Sequence, residues 1–219
     1  LMPDTAAAWQ VTDPFNANQS IQAGARELRQ LSRAYDGELA RVAAAYNVID
    51  NTTEAKAAQS TLDGASVAIE ASTDADIASA AVGGGGAAKV AVTGSLGFNE
   101  ITNRTAAMAT GATLIASGNA SVVASDSSTI GSISGAAAVG GNGAVGAAGS
   151  YNHIDGEVLA QVSGGSVTAA NARVAALRSS ALEVWAISGS GAGTAGFAGS
   201  IAINDVGGNN TAQVLGGAV

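Results

Sequence analysis

The chain of 219 residues carries 17 Asp and Glu against 9 Lys and Arg, a net charge of −8 at pH 7, and no cysteine. This acidic balance excludes nucleic acid as a partner, because phosphate neutralisation requires clustered basic residues. The absence of cysteine excludes disulfides and thiolate metal sites. Apolar residues make up 47% of the chain, aromatic residues only 4%, and 30 residues are glycine. This composition predicts a thin interior of Ala, Val and Ile rather than a thick globular core.

Residues 1–46 depart from the pattern of the rest of the chain. They contain a stripe of apolar residues at spacings of 3, 4, 4 and 3, which is typical of a helix face: Leu28, Leu31, Tyr35, Leu39 and Val42. We therefore expect either a degenerate repeat or a helical insertion or cap in residues 1–46. The first ten residues lack a basic segment followed by an apolar one, so we expect any export signal to lie upstream.

From residue 47 onwards, a block of about 52 residues repeats. Each copy begins at a marker asparagine, at spacings of 52, 53 and 52 residues: Asn47, Asn99, Asn152 and Asn204. An alanine follows each marker after eight residues (Ala55, Ala107, Ala160 and Ala212), and a glycine follows three of them after twelve (Gly111, Gly164 and Gly216). Small and apolar residues at even offsets lie on one face of an extended strand. The repeats therefore predict stacked coils in which each copy covers the apolar face of its neighbour.

The predicted fold is all-β, a right-handed parallel β-helix (β-solenoid), with a short N-terminal helix as one alternative for the first domain. The predicted domains are residues 1–46 and the solenoid 47–219, divided into 47–98, 99–151, 152–203 and the partial copy 204–219. Because β-helix coils are commonly about half as long as this repeat, we expect two coils per repeat. Stacked coils would then form a rod about 40 Å long, with marker asparagines about 10 Å apart. Such asparagines would be too far apart to bond directly.

The single histidine gives little reason to expect catalysis. His153 follows a marker asparagine at an offset where the other copies carry Val48, Glu100 and Asp205. An offset at which the four copies carry such different side chains indicates a solvent-facing position. The isolated aromatic residues Trp9 and Trp185 are interpreted as packing groups rather than sugar platforms.

Two carboxylate pairs could support sugar cleavage, which parallel β-helices are known to host: Asp74 with Asp76, on one strand face, and Asp155 with Glu157. Neither is accompanied by the basic and aromatic residues that would hold an acidic polysaccharide. We therefore predict that the protein is not an enzyme, with no catalytic, cofactor-binding or metal-binding residues and no cofactor.

The order V-x-A-x(5)-I, a Gly/Ala-rich run, N-x-[IV] and a strand closing on G-[AG] spans residues 47–219. It resembles the long degenerate repeats of filamentous-haemagglutinin-like and leukotoxin-type large adhesins. The resemblance implies a secreted or bacterial cell-surface protein, an outer-membrane secretion partner and a role in virulence. It also implies a structural or adhesive segment that extends a binding region towards a host-cell or bacterial receptor or a glycan, which it does not identify.

We expect the isolated chain to be a monomeric rod. Two alternative functions stay open, a polysaccharide-active β-helix enzyme and a trimeric autotransporter head. A third is a toxin segment whose small-residue runs enter membranes.

Overall fold

The computed structural model describes residues 40–216, and these fold almost entirely into long β-strands. In chain order the strands are β1 (Ala40–Ala58), β2 (Thr61–Gly64), β3 (Val67–Ala87), β4 (Val90–Ala116), β5 (Asn119–Gly140), β6 (Gly143–Thr168), β7 (Asn171–Ala192), β8 (Ala195–Val206) and β9 (Asn209–Leu215). No helix occurs among the described residues, and the predicted all-β class is confirmed. The helix considered for residues 1–46 lies mostly outside the described residues, and β1 runs across the predicted boundary after residue 46.

The strands form two parallel sheets. The first sheet has the order β1-β4-β6-β8, with β2 also paired to β4 and β9 to β6, and the second sheet has the order β3-β5-β7. The chain alternates between them, so that β4 with β5 makes one coil and β6 with β7 the next. Neighbouring strands in each sheet lie about 50 residues apart along the chain, as parallel pairing through a crossover requires. The predicted parallel β-solenoid is confirmed.

Each repeat makes one coil, and the prediction of two coils per repeat is wrong. The strands of one coil hold 27 and 22 residues, so one pass along each sheet uses nearly the whole repeat. With strands about 4.8 Å apart, the four layers of the first sheet extend only about 14 Å along the stacking axis. The estimated rod length of 40 Å is therefore wrong for these residues. The long dimension lies along the strands, up to about 90 Å for 27 extended residues.

The interior lies between the two sheets and is filled by alternate residues of each strand. Ile101, Ile130 and Ile154 are all fully buried and pack into one cluster with Ala75 and Ile77. A larger cluster near the ends of β4 and β6 contains mainly Ala and Val. The small and apolar residues that recur with a period of two in the sequence therefore form the inward face. Burial of their side chains holds the two sheets together.

The glycine-rich runs bring the two sheets into close contact. A Cβ atom placed on Gly83 would collide with the carbonyl oxygen of Gly94, and one on Gly146 would collide with that of Gly189. Backbone packs directly against backbone at these points. This contact explains why the runs keep a constant length although they contain few large side chains.

The predicted glycine markers share one backbone conformation. Gly111, Gly164 and Gly216 have φ values of +60°, +60° and +58°. Along β4, the buried positions change from odd to even numbers across Gly111, which is what a one-residue bulge produces. The first copy has Gln59 at this offset, with φ of +46°. A left-handed conformation is unfavourable for a residue with a Cβ atom.

Replacing Gln59 with glycine is expected to stabilise the chain by about 1 kcal/mol, because the strain of a left-handed non-glycine residue is removed. The converse change, Gly111→Ala, is expected to destabilise it by about 1–2 kcal/mol. Urea denaturation of both variants measures the two effects. Equal stability of Gly111→Ala and the parent chain would show that the bulge does not require glycine.

Candidate functional site

The outward face of the first sheet carries most of the chemistry-bearing side chains of the described residues. Each coil contributes four outward residues between the marker region and the bulge, which we call the outer strip: Tyr46, Val48, Asp50 and Thr52; Phe98, Glu100, Thr102 and Arg104; Tyr151, His153, Asp155 and Glu157; Ile203, Asp205, Gly207 and Asn209. They point outward because the residues between them, such as Asn99, Ile101 and Asn103, are buried between the sheets.

One end of the outer strip forms a groove of about 280 Å³, which we call the acidic groove. Its lining residues come from all four coils: Asp50, Thr102, Asn103, Arg104, Asp155, Gly156, Glu157, Gly208 and Asn209. At Gly156 and Gly208, the space that a side chain would occupy is taken by the Arg178 guanidinium. Residues distant in sequence meet there because each coil advances the chain by one repeat.

The carboxylates Asp155 and Glu157 lie side by side in the acidic groove. They are two residues apart on one strand, so their Cα atoms are separated by about 6.6 Å. Arg104 Nε lies 3.1 Å from Glu157 Oε2, in a pair in which both side chains are about half exposed. Asp155 Oδ1 accepts a hydrogen bond of 2.9 Å from the backbone N–H of Gly156. Both carboxyl groups are thus held by a neighbour while remaining at the groove surface.

A buried ion pair supports the groove from below. Arg178 Nε lies 3.7 Å from Asp126 Oδ2, and the two side chains are 10% and 0% exposed. Asp126 Oδ1 also accepts a hydrogen bond of 2.9 Å from Asn103 Nδ2. The Arg178 guanidinium donates to the carbonyl oxygen of Gly207 and fills the space left by the missing side chain of Gly156. The pair therefore ties the groove floor to the second sheet.

The other carboxylate pair is arranged less favourably. Asp74 lines a separate cavity of about 380 Å³ on the second sheet, among several serines, and Asp76 is not among its lining residues. The structure brings Asp155 and Glu157 together with Asp50 and Arg104, whereas Asp74 and Asp76 share no such site. Of the two pairs named from the sequence, only Asp155 with Glu157 lies in one groove.

An aromatic column lies at the other end of the outer strip. The Tyr46 and Phe98 rings stack with centroids 4.8 Å apart, and the Phe98 and Tyr151 rings with centroids 5.1 Å apart. Tyr46 is 72% exposed. His153 lies beside this column, with Nδ1 at 3.1 Å from Asp205 Oδ2 and a side chain 23% exposed. The histidine lies on the outward face, as expected, but it is more covered than a solvent-facing position implies.

The four marker asparagines form a continuous ladder inside the solenoid. Asn47 Nδ2 donates to Asn99 Oδ1 at 3.0 Å, Asn99 Nδ2 to Asn152 Oδ1 at 2.7 Å, and Asn152 Nδ2 to Asn204 Oδ1 at 2.9 Å. The expectation that these side chains are too far apart to bond is wrong, because one coil per repeat places them in adjacent strands. The ladder also lies in mid-strand rather than at a corner of the coil, and Asn99 and Asn152 are fully buried.

The alanine markers also lie in register across the first sheet. Ala55 pairs with Ala107, Ala107 with Ala160, and Ala160 with Ala212. Ala107 and Ala160 are fully buried. The markers are therefore structural columns that set the register of the coils, and they lie apart from the acidic groove.

Within residues 40–216, no three His, Asp or Glu side chains are grouped so that they could hold a metal ion. In that same part of the chain there is no helix of sufficient length and apolar character to cross a membrane.

Residues 1–67 match the family model of the transglycosylase SLT domain. The match covers less than a third of the chain, and its described part comprises β1, β2 and the first residue of β3. No curated protein and no solved structure matches the chain significantly.

This match corrects the functional predictions made from the repeats. The assignment to filamentous-haemagglutinin-like adhesins is wrong, and so are the adhesive function and the role in virulence. The prediction that the protein is not an enzyme is also wrong, because a transglycosylase domain implies catalysis. The repeats identified the β-solenoid fold, but they gave no indication of a transglycosylase domain. The extracellular location, the secretion partner and the monomeric state stay predictions.

Proposed function

We propose that this chain is part of a transglycosylase that acts on a polysaccharide of the peptidoglycan type. The observation that carries the proposal is the match of residues 1–67 to the transglycosylase SLT domain. In this proposal the solenoid is the surface that holds the glycan, and the acidic groove is where a glycosidic bond is placed.

The groove joins the matched segment to the rest of the solenoid. Asp50 belongs to residues 1–67, and it lines the same groove as Asp155 and Glu157 of the third coil. A glycan in the groove would therefore contact both parts of the chain at once. This arrangement supports a shared function for the two parts.

Two adjacent carboxyl groups suit the chemistry of transglycosylation. The glycosidic C–O bond breaks as its oxygen takes a proton from a carboxylic acid. A sugar hydroxyl then forms the new C–O bond and gives its proton to a carboxylate. The Cα atoms of Asp155 and Glu157 lie about 6.6 Å apart on one strand and both residues line the groove, so that one glycan can contact both. Arg104 fixes the position of Glu157 through their ion pair.

The variants Asp155→Asn and Glu157→Gln are expected to lower the rate of glycan cleavage at least about 100-fold. The amide that replaces each carboxyl group has the same size but cannot transfer the proton. Insoluble peptidoglycan is incubated with each protein, and the soluble glycan fragments are quantified by mass spectrometry. The matched control is Asp74→Asn, which changes an exposed carboxylate on the second sheet and is expected to leave the rate unchanged.

Circular dichroism of all three variants is the control that checks whether they retain the fold of the parent chain. Full cleavage by both groove variants would remove the groove from the mechanism. Absence of fragments with the parent chain would overturn the proposed function itself.

A further inference from the structure

One half of each coil is nearly free of charge. This apolar half comprises the strand segments on either side of three turns, which pair in register within both sheets: residues 79–98, 132–151 and 184–203. Lys89, in the turn between β3 and β4, is the one charged residue of these segments. The carboxylates of the acidic groove lie in the other half of the coils. Charged and apolar surfaces are therefore separated along the length of the strands.

The apolar half exposes hydrophobic side chains on the outward faces of both sheets. Most of the exposed large hydrophobic residues of the described chain lie in it. Nearest to the turns are Val90, Val92, Val145 and Phe197 on the first sheet and Val139 on the second. Phe197 is 68% exposed and Val139 is 64% exposed. Contiguous exposed apolar surface of this kind marks a site of interaction.

The two exposed faces belong to one thin slab of protein. Gly83 and Gly146 bring the two sheets into backbone contact within the apolar half, so its faces lie on opposite sides of about 10 Å of protein. A flat protein partner would cover only one face, and further copies of this chain would cover both only by open-ended association. A layer of lipid chains covers both faces at once when the slab enters it.

The backbone limits how deeply lipid can cover this half. Strands β4 and β5 are hydrogen-bonded on both sides, whereas β7 and β8 are paired on one side among the described residues. Unpaired backbone groups are not tolerated in the hydrocarbon core of a bilayer. The turns can therefore enter only the headgroup region and the upper acyl chains, to a depth of about 10 Å. That depth corresponds to about three residues of each strand.

We propose that the turns of the apolar half insert into one leaflet of a lipid bilayer and hold the acidic groove away from the membrane surface. The five hydrophobic residues nearest to the turns supply the inserted surface on the two faces. The long aliphatic stem of Lys89 lets its ammonium group stay among the phosphate groups of the lipids. This membrane contact goes beyond the proposed catalytic function and does not depend on it.

Flotation of the full chain with phosphatidylcholine vesicles in a density gradient tests the proposal, and the parent chain is expected to float with the vesicles. Phe197→Ser on the first sheet and Gly191→Asp on the second are each expected to bind at least about tenfold more weakly. The first variant loses a ring that lipid would cover, and the second brings a carboxylate into the acyl layer. A side chain at Gly191 would meet no atom within 4 Å, so this change leaves the packing intact.

The matched controls Leu177→Ser and Ser179→Asp make similar changes on the exposed face of β7 outside the apolar half, and they are expected to float like the parent chain. A parent chain that stays at the bottom of the gradient would overturn the proposal. Unchanged binding by either Phe197→Ser or Gly191→Asp would show that its face stays outside the lipid, and would overturn it as well. Sedimentation velocity without lipid provides a further test. Oligomers that both variants dissociate would assign the faces to contacts between copies of the chain instead.

Discussion

Replacing Arg178 with methionine is expected to destabilise the fold by about 3–5 kcal/mol, because the buried Asp126 carboxylate loses its cationic partner. Methionine retains an unbranched side chain of similar length, so the apolar part of the packing is largely kept. Asp126 is completely covered from solvent, and its remaining partners are Asn103 and Ser128. Urea denaturation followed by circular dichroism measures the change.

The double variant Asp126→Ala/Arg178→Met separates the two causes of this loss. Removing both charges is expected to recover most of the stability, because neither group is then left unpaired in the interior. Since the Arg178 guanidinium also donates to the Gly207 carbonyl, the groove in the double variant is expected to remain less ordered. A loss in the double variant as large as that of Arg178→Met alone would show that the unpaired Asp126 carboxylate is not the source of the effect.

The variant Asn99→Ala is expected to cost about 3 kcal/mol, since it leaves the buried polar partners of Asn99 unsatisfied. Asn99 donates to both Asn152 and Ser132 and accepts from Asn47. The control Asn204→Ala removes a residue at the exposed end of the same ladder and is expected to cost less than about 1 kcal/mol.

Thermal unfolding of the two asparagine variants shows which substitution lowers the stability more. Equal losses at the two positions would mean that burial of the ladder does not determine its strength.

The register of the solenoid follows from the sequence because the marker asparagines recur at nearly constant spacing. An inward-facing polar residue that repeats in this way must meet its own kind in the next coil, and the asparagine ladder shows this contact directly. The number of coils per repeat does not follow from the spacing. A period of 52 residues fits two short coils or one coil with two long strands, and the alternation of residues is the same in both cases.

The buried ion pair follows from the alternation of residues in two successive repeats. Val122 and Ala124 mark the inward phase of β5, and Asp126 continues it by the same step of two. Arg178 occupies the equivalent inward position of β7 and pairs in register with Asp126. Opposite charges at the same inward offset of successive repeats therefore predict a buried pair.

Only part of the candidate site could be predicted from the sequence. Asp155 and Glu157 stand two residues apart and were recognised as a pair, but Asp50 and Arg104 join them only when each repeat forms one coil. The proposed activity could not be predicted from the repeats, because Ala, Gly and Val at even offsets describe packing and carry no catalytic group. Support for the proposed activity comes from the match of residues 1–67, most of which precede the repeats.

Digestion of peptidoglycan by the chain in water enriched in heavy oxygen tests the central claim most directly. A transglycosylase joins the released sugar to another sugar hydroxyl, so the new ends of the fragments are expected to carry no heavy oxygen in their mass spectra. Fragments labelled at every new reducing end would show hydrolysis by water instead, since water supplies the oxygen on the anomeric carbon. Intact glycan after prolonged incubation would contradict the assignment of any glycan-cleaving activity to this chain.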